Sequence, residues 1–205
     1  MKKVLIIIPT LLQGGGQKFV LDLAQGLSKS KYEIKILVYY DLTAQCFEER
    51  IEELSMNRVD IVKMDKRVGL DFSFFRKVKK IVSDYKPDVI HTHLDVLLYL
   101  LPVFRKSQVK LHTVHTVAQK ESKGLQKLVR NIAFKLFKVQ PVAISETVAA
   151  SIKEYFNLKN VPIVHNGVVC ANYAGEKTCH AGINFIATGT LYDVKNYGYL
   201  IECFY

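Results

Sequence analysis

Apolar residues follow two rhythms along this chain. Short continuous runs such as "VLIIIP" and "YEIKILVYY" alternate with stretches in which apolar residues recur every three or four positions. A continuous β-branched run predicts a strand covered on both faces, and the wider spacing predicts an amphipathic helix. "GQKFVLDLAQGLSK" therefore predicts a helix with Phe19, Val20, Leu23, Ala24 and Leu27 on one side. "TAQCFEERIEELSMN", "FSFFRKVKKIVSDY", "DVLLYLLPVFRKS", a basic stretch from about 124 to 138, and "ETVAASIKEYF" predict further helices. "VDIVKMD", "PDVIHTH", "KLHTVHT", "PVAIS" and "VPIVHNG" predict further strands between them.

Regular alternation of this kind specifies an α/β fold: a Rossmann-like, doubly wound parallel sheet. Ligands of such sheets bind beyond the carboxyl ends of the strands. Gly14 to Gly16, His93 and His115 all fall at or just after predicted strand ends. From Cys170 to Gly182 the composition turns polar, which predicts a linker at 171–182 after a first domain at 1–170. "INFIATG" then reads as a new first strand and "YGYLIECFY" as a helix, so residues 183–205 predict the truncated start of a second Rossmann-like domain.

The glycine triplet needs a reason, because glycine weakens regular structure. A dinucleotide fingerprint would require a third glycine where Phe19 stands, and the loop lies five residues beyond the strand. No GxxxxGK[ST] phosphate loop occurs. What remains is a loop with bare N–H groups leading into a helix N-terminus, close to a ligand.

The net charge of +10 points to an anionic partner. No aromatic-rich binding strand or recognised motif accompanies the charge, which argues against nucleic acid. In the stretch 120–138, Lys120, Lys123, Lys127, Arg130, Lys135 and Lys138 face only one acid, Glu121, while Leu125, Leu128, Val129, Ile132, Ala133, Leu136 and Phe137 form an apolar stripe. Such a helix suits an anionic membrane surface, with Lys123, Lys127, Arg130 and Lys135 as contacts, or else packs on the core with a solvated basic face. Arg76, Lys77, Lys79 and Lys80 would add to a basic surface. The apolar start, Val4 to Ile8, is too short for a secretory signal, and no run approaches membrane-span length. Cys46, Cys170, Cys179 and Cys203 show no CxxC spacing and read as reduced, buried thiols. These features together predict a cytoplasmic protein, peripheral on the inner face of a membrane.

"HTHLD" admits a metal reading. His91, His93 and Asp95 resemble the start of the metallo-β-lactamase-like hydrolase motif, with His112 and His115 as further ligands. That motif continues with a histidine where Val96 stands, and its fold lacks the alternation seen here. His91, inside a predicted strand, reads more simply as a core histidine. His115, late in its strand, can reach a cleft, where a neutral imidazole would bind a sugar hydroxyl or steady developing charge.

"IPTLLQGGGQKFVLDLA", "PDVIHTH", "TVHT", "AISETV", "VHNGV" and "GTLYDVKNYGYLIECF" occur in the order found in family 4 glycosyltransferases, which the chain resembles over nearly its whole length. The resemblance implies the GT-B fold, two Rossmann-like domains with the active site between them. It implies transfer of a sugar from a nucleotide-sugar donor to a glycan or lipid-linked acceptor, with retention and without a metal or other cofactor. By the same resemblance, Gly15 and Gly16 lie beside donor and acceptor, His115 contacts the transferred sugar, and Lys195 neutralises the donor diphosphate; His93, nearer its strand end than His91, is a substrate-binding candidate by position alone. Three positions depart from the family's pattern: Thr116 and Val169 stand where aspartate is usual, and Thr190 replaces an arginine. Glu146 and Glu154 have the spacing of the family's carboxylate pair but sit in a first-domain helix, where solvent-facing glutamates are the simpler reading. The short second domain leaves two alternatives: a non-catalytic remnant, or one half of a split enzyme whose second chain supplies the donor domain.

Overall fold

Six strands, β1 (Lys2–Ile8), β2 (Tyr32–Val38), β3 (Val59–Lys63), β4 (Val89–His93), β5 (Val109–Val114) and β6 (Gln140–Ala143), lie in the order β3-β2-β1-β4-β5-β6. All neighbours are parallel. This is the doubly wound order whose topological switch lies between β1 and β4. The computed structural model describes residues 1–28, 32–167, 185–189, 191 and 193–204. They divide into two units, Met1–Val169 and Cys170–Tyr205.

In the first unit both faces of the sheet are covered. Ile6, Ile8, Ile34, Ile36 and Val38 pack with Val20, Leu21 and Ala24 of α1 (Gly15–Ser28) and Leu54 of α2 (Glu48–Met56). Leu5, Ile7, Leu37 and Ile90 point the other way, onto Phe74, Val78 and Val82 of α3 (Phe72–Tyr85). Toward β6, Val114 and Ala143 pack with α4 (Ala118–Glu121), α5 (Gly124–Lys135) and α6 (Glu146–Phe156). In the second unit, α7 (Tyr197–Glu202) follows a 3-10 turn at Asp193–Lys195.

α3 starts where the sequence places a cap. Asp71 Oδ1 accepts from Phe74 N at 3.2 Å and from Ser73 Oγ at 2.7 Å. Lys86 ends the helix in the left-handed region, ahead of Pro87. Asp71→Ala removes a good N-cap, and the expected loss is about 1–2 kcal/mol in urea denaturation.

Four sequence expectations give way to other structures. "DVLLYLLPVFRKS" forms two 3-10 turns, Leu97–Tyr99 and Leu101–Val103, rather than a helix. Pro102 cannot donate a hydrogen bond to a helix interior, and the segment satisfies itself with short turns instead. "VPIVHNG" contributes one bridge, Ile163 to Ala143, and no strand. In "INFIATG", residues 185–188 are irregular, and 183–184 lie outside the described residues. Cys46 and Cys203 are free but exposed, not buried. Cys170, Cys179, Val169, Thr190 and the predicted linker at 171–182 lie outside the described residues.

α5 also presents a different face to the core. Val129, Arg130, Ala133 and Phe134 are buried, whereas Leu125, Leu128 and Leu136 are exposed. The helix is rotated by the packing of Phe134 on Phe156 and by the ion pairs of Arg130. No helix among the described residues is long and apolar enough to cross a membrane.

Candidate functional site

The carboxyl end of β1 leads into a pinned loop. Leu11 N donates to Leu42 O and Ala44 N to Leu11 O, both at 2.9 Å, which ties the loop to the segment after β2. α1 then starts at Gly15 with no acidic residue in its first turn. Its bare N–H groups form an anion-attracting end. None of Gly14, Gly15 and Gly16 has a left-handed φ, so backbone freedom is not what they provide. A Cβ on Gly15 would meet nothing within 4 Å, and one on Gly16 would stand 3.5 Å from the His115 ring. Gly14 leaves room for the Gln17 side chain, which lies over it, Gly15 stands in open space, and Gly16 lies against an imidazole.

β4 and β5 bring the histidines to the same edge. Alternation places His91 and His93 on the α1 side of the sheet, with Thr113 paired opposite His93. His115, one residue past β5, continues that face. His93 Nδ1 and His115 Nε2 share a hydrogen bond of 3.0 Å. Phe19 of α1 walls both rings at 5.7 and 5.5 Å between centroids. His91 lies behind, its ring 4.3 Å from that of His93 and its Nε2 2.8 Å from Thr113 Oγ1. His93 is fully buried, and its Nε2 has no partner among the described residues.

His112 belongs elsewhere. It lies three residues before His115 and so on the opposite face, where Nδ1 meets Thr92 Oγ1 at 2.9 Å and the ring packs on Phe134. Thr92 Oγ1 in turn donates to Leu111 O. This histidine is core.

Burial keeps these imidazoles neutral. It lowers His91 to about 4, helped by His115, and lowers His115 to about 4, helped by the Arg130 charge. His93 and His112 are pushed well below the usual histidine range by burial first; next come the neighbouring histidines for His93 and the Arg130 charge for His112. A neutral His115 whose Nε2 is engaged by His93 has Nδ1 left for a ligand. It can exchange hydrogen bonds with a hydroxyl at neutral pH without carrying charge.

Glu121 and Arg130 hold His115 in place. Glu121 Oε2 accepts from His115 N at 2.8 Å and Thr116 N at 3.1 Å. Arg130, 2% exposed, pairs through Nη1 with Glu121 Oε1 at 3.0 Å and through Nη2 with Asp95 Oδ1 at 3.1 Å. One guanidinium thus ties the end of β4 to the end of β5. Burial raises both carboxyls, and Arg130 opposes the rise. Arg130 is therefore no membrane contact: its charge is consumed inside the protein. Lys123, Lys127 and Lys135 remain exposed, with Lys127 Nζ 3.8 Å above the Tyr155 ring.

The metal reading of "HTHLD" meets a different donor arrangement. His91 is bonded to Thr113, His93 to His115, and Asp95 to Arg130. Among the described residues no group of three or more His, Cys, Asp or Glu could hold a metal ion.

Of the residues singled out from sequence, the structure brings together Gly16, His93 and His115, with Gly15 on the adjoining helix turn. Lys195 lies in the second unit, in the turn Asp193–Lys195, where Gly189 approaches its side chain. Sequence reasoning missed Phe19 as a wall of the site and Glu121 as its brace. Glu121 carried a signal, being the one acid in a run of cations.

The sequence pattern of Glycosyltransferase Family 4 matches residues 13–172. A glycosyltransferase from Rickettsia africae ESF-5 has a similar structure, with a TM-score of 0.62 at 18% identity over 82% of this chain and 43% of its own. A putative UDP-N-acetylglucosamine 2-epimerase from Listeria monocytogenes is similar with a TM-score of 0.51 at 12% identity, over 77% of this chain and 42% of its own. At these identities the likeness speaks for the fold alone, the Rossmann-like α/β architecture of GT-B glycosyltransferases. The chain spans less than half the length of either structure. No curated protein matches it. The match covers the glycine loop, the histidine pair and their brace, and the chain belongs to glycosyltransferase family 4.

Proposed function

We propose that the protein takes part in retaining transfer of a sugar from a nucleotide-sugar donor to an acceptor hydroxyl, in the assembly of a cell-surface polysaccharide or glycolipid. The carrying observation is the glycine-lined N-terminus of α1, without an acidic residue in its first turn, beside a neutral, braced His115 at the β1–β4 switch point. On this reading the end of α1 offsets the charge of the departing diphosphate, and His115 Nδ1 bonds a hydroxyl of the transferred sugar. The acceptor hydroxyl attacks from the same face as the leaving phosphate, which takes up its proton. Neither a metal nor another cofactor has a step in this scheme. Exposed Lys123, Lys127 and Lys135, interleaved with Leu125, Leu128 and Leu136, would rest on the inner, anionic face of a membrane.

The test is transfer of label from radiolabelled nucleotide sugars to a lipid and glycan extract of the source cells. The expected product keeps the donor's anomeric configuration, and His115→Ala lowers kcat by roughly 100-fold or more. No label leaving the donor, with or without added cell extract, would overturn the proposal.

A further inference from the structure

Glu121 fixes the backbone of His115 and leaves its ring to other groups. Its Oε2 accepts from the amides of His115 and Thr116, and neither bond turns the imidazole. Beside the ring stand Gly16, where a Cβ would come 3.5 Å from Cδ2, and Phe19, inclined at 68° with 5.5 Å between centroids. These two neighbours bound the ring by shape and are indifferent to where its proton sits. One contact is not indifferent: His93 Nδ1 lies 3.0 Å from His115 Nε2. Register explains the meeting. His93 pairs with Thr113 on β5, and His115, two residues further on, continues the same face.

A neutral imidazole has one N–H and one bare nitrogen, so the shared bond admits two proton placements. If His115 Nε2 donates, His93 accepts through Nδ1 and must carry its own proton on Nε2. That nitrogen is fully buried and has no partner among the described residues. His91, whose ring packs 4.3 Å away, turns its own Nε2 to Thr113 Oγ1 at 2.8 Å. A buried N–H with no acceptor is among the rarest features of folded proteins, rarer than an acceptor with a lone pair unused. If instead His93 Nδ1 donates, its one proton lies in the shared bond and only a ring lone pair is left unmet. The proton of His115 then sits on Nδ1. This second placement strands no N–H inside the protein.

We propose that His93 is a positioning residue, whose Nδ1–H holds His115 in the Nδ1–H tautomer and leaves that N–H for the ligand. The free side chain favours the opposite form, with its proton on Nε2, so the neighbour imposes the tautomer. Being fully buried, His93 acts through His115 and not on the substrate. Resting on the glycosyltransferase reading, His115 then meets an oxygen of the transferred sugar as the hydrogen-bond donor. A donor at this point selects for an oxygen with a lone pair to offer, in a hydroxyl or a carboxylate. It selects against a group that can only donate, such as an ammonium.

Two-bond proton–nitrogen correlation spectra of the full chain, labelled with nitrogen-15 histidine and recorded near neutral pH, read the tautomer without substrate or turnover. His115→Gln identifies the His115 signals by their loss. The expected pattern at His115 is a protonated Nδ1 and a bare Nε2. The reverse pattern in the unsubstituted protein overturns the proposal, whatever the variants do. His93→Leu is expected to move His115 to the Nε2–H pattern. His93→Asn, whose Nδ2–H can still donate, is expected to keep the original one. An unaltered His115 pattern in folded His93→Leu also overturns the proposal. Turnover gives a second readout. His93→Leu is expected to lower kcat about tenfold, and by less than about twofold when His115→Ala is already present, because the residue acts through that ring. Equal losses in both backgrounds would mark a merely structural role and overturn the positioning one. The expected spectra without any sugar transfer would sink the glycosyltransferase reading alone. Sugar transfer by a protein whose His115 carries its proton on Nε2 would sink the role of His93 alone.

Discussion

Arg130→Met is expected to cost the protein about 3–5 kcal/mol, read as a lower denaturation midpoint in guanidinium. The arginine is 2% exposed and bridges Asp95 to Glu121. Methionine fills similar volume but leaves the Glu121 carboxylate buried without its countercharge, and an uncompensated buried charge is the costly element. The damage reaches the site, because Glu121 also holds the backbone of His115 and Thr116. Combining Arg130→Met with Glu121→Gln and Asp95→Asn removes the stranded charges and should recover part of the loss. A single-variant cost below about 1 kcal/mol would mean that the pairs behave as exposed ones do.

Acidification from pH 7 to pH 5 should destabilise the folded protein by several kcal/mol. The sign follows from four histidines buried in the neutral form. His91 and His115 have folded values near 4, against about 6.5 in an unfolded chain. Below about pH 6.5 the unfolded state takes up protons that the folded state refuses. Stability is therefore full above that pH and falls as pH drops toward 4. At pH 5 each such histidine costs roughly 2 kcal/mol, with His93 and His112 adding in the same direction. The carboxyls of Asp95 and Glu121, raised by burial, act in the opposite sense and offset part of the loss. Thermal melts at pH 5, 6 and 7 measure the slope. His112→Gln, on the face away from the site, should flatten it. A melting temperature independent of pH over this range would mean that the cluster is open to protons in the folded state.

Most of the fold was legible in the sequence, for local reasons. The strand runs, α3 and α6 follow from apolar periodicity and from punctuation such as Asp71 and Pro87. Their strict alternation implies a parallel sheet, and the glycine loop and His115 stand at strand ends. Fine structure was less legible where competing signals met. The stretch 95–107 is apolar enough for a helix, but Pro102 divides it into 3-10 turns. Residues 161–167 are apolar enough for a strand, yet pairing stops at one bridge.

The sequence by itself determined the order of elements, the edge at which the glycine loop, His93 and His115 gather, and the family, since each depends on spacing along one segment or on motifs in fixed order. Only the tertiary structure decided which histidines meet. His93 and His115 come together because β4 and β5 are adjacent and in register, while His112 faces away because three residues along a strand reverse the side. It also decided the fate of Arg130. On a helical wheel that residue belongs to a basic surface. In the folded chain Asp95 and Glu121, from two other segments, turn it inward, and the charge once assigned to a membrane becomes the brace of the site.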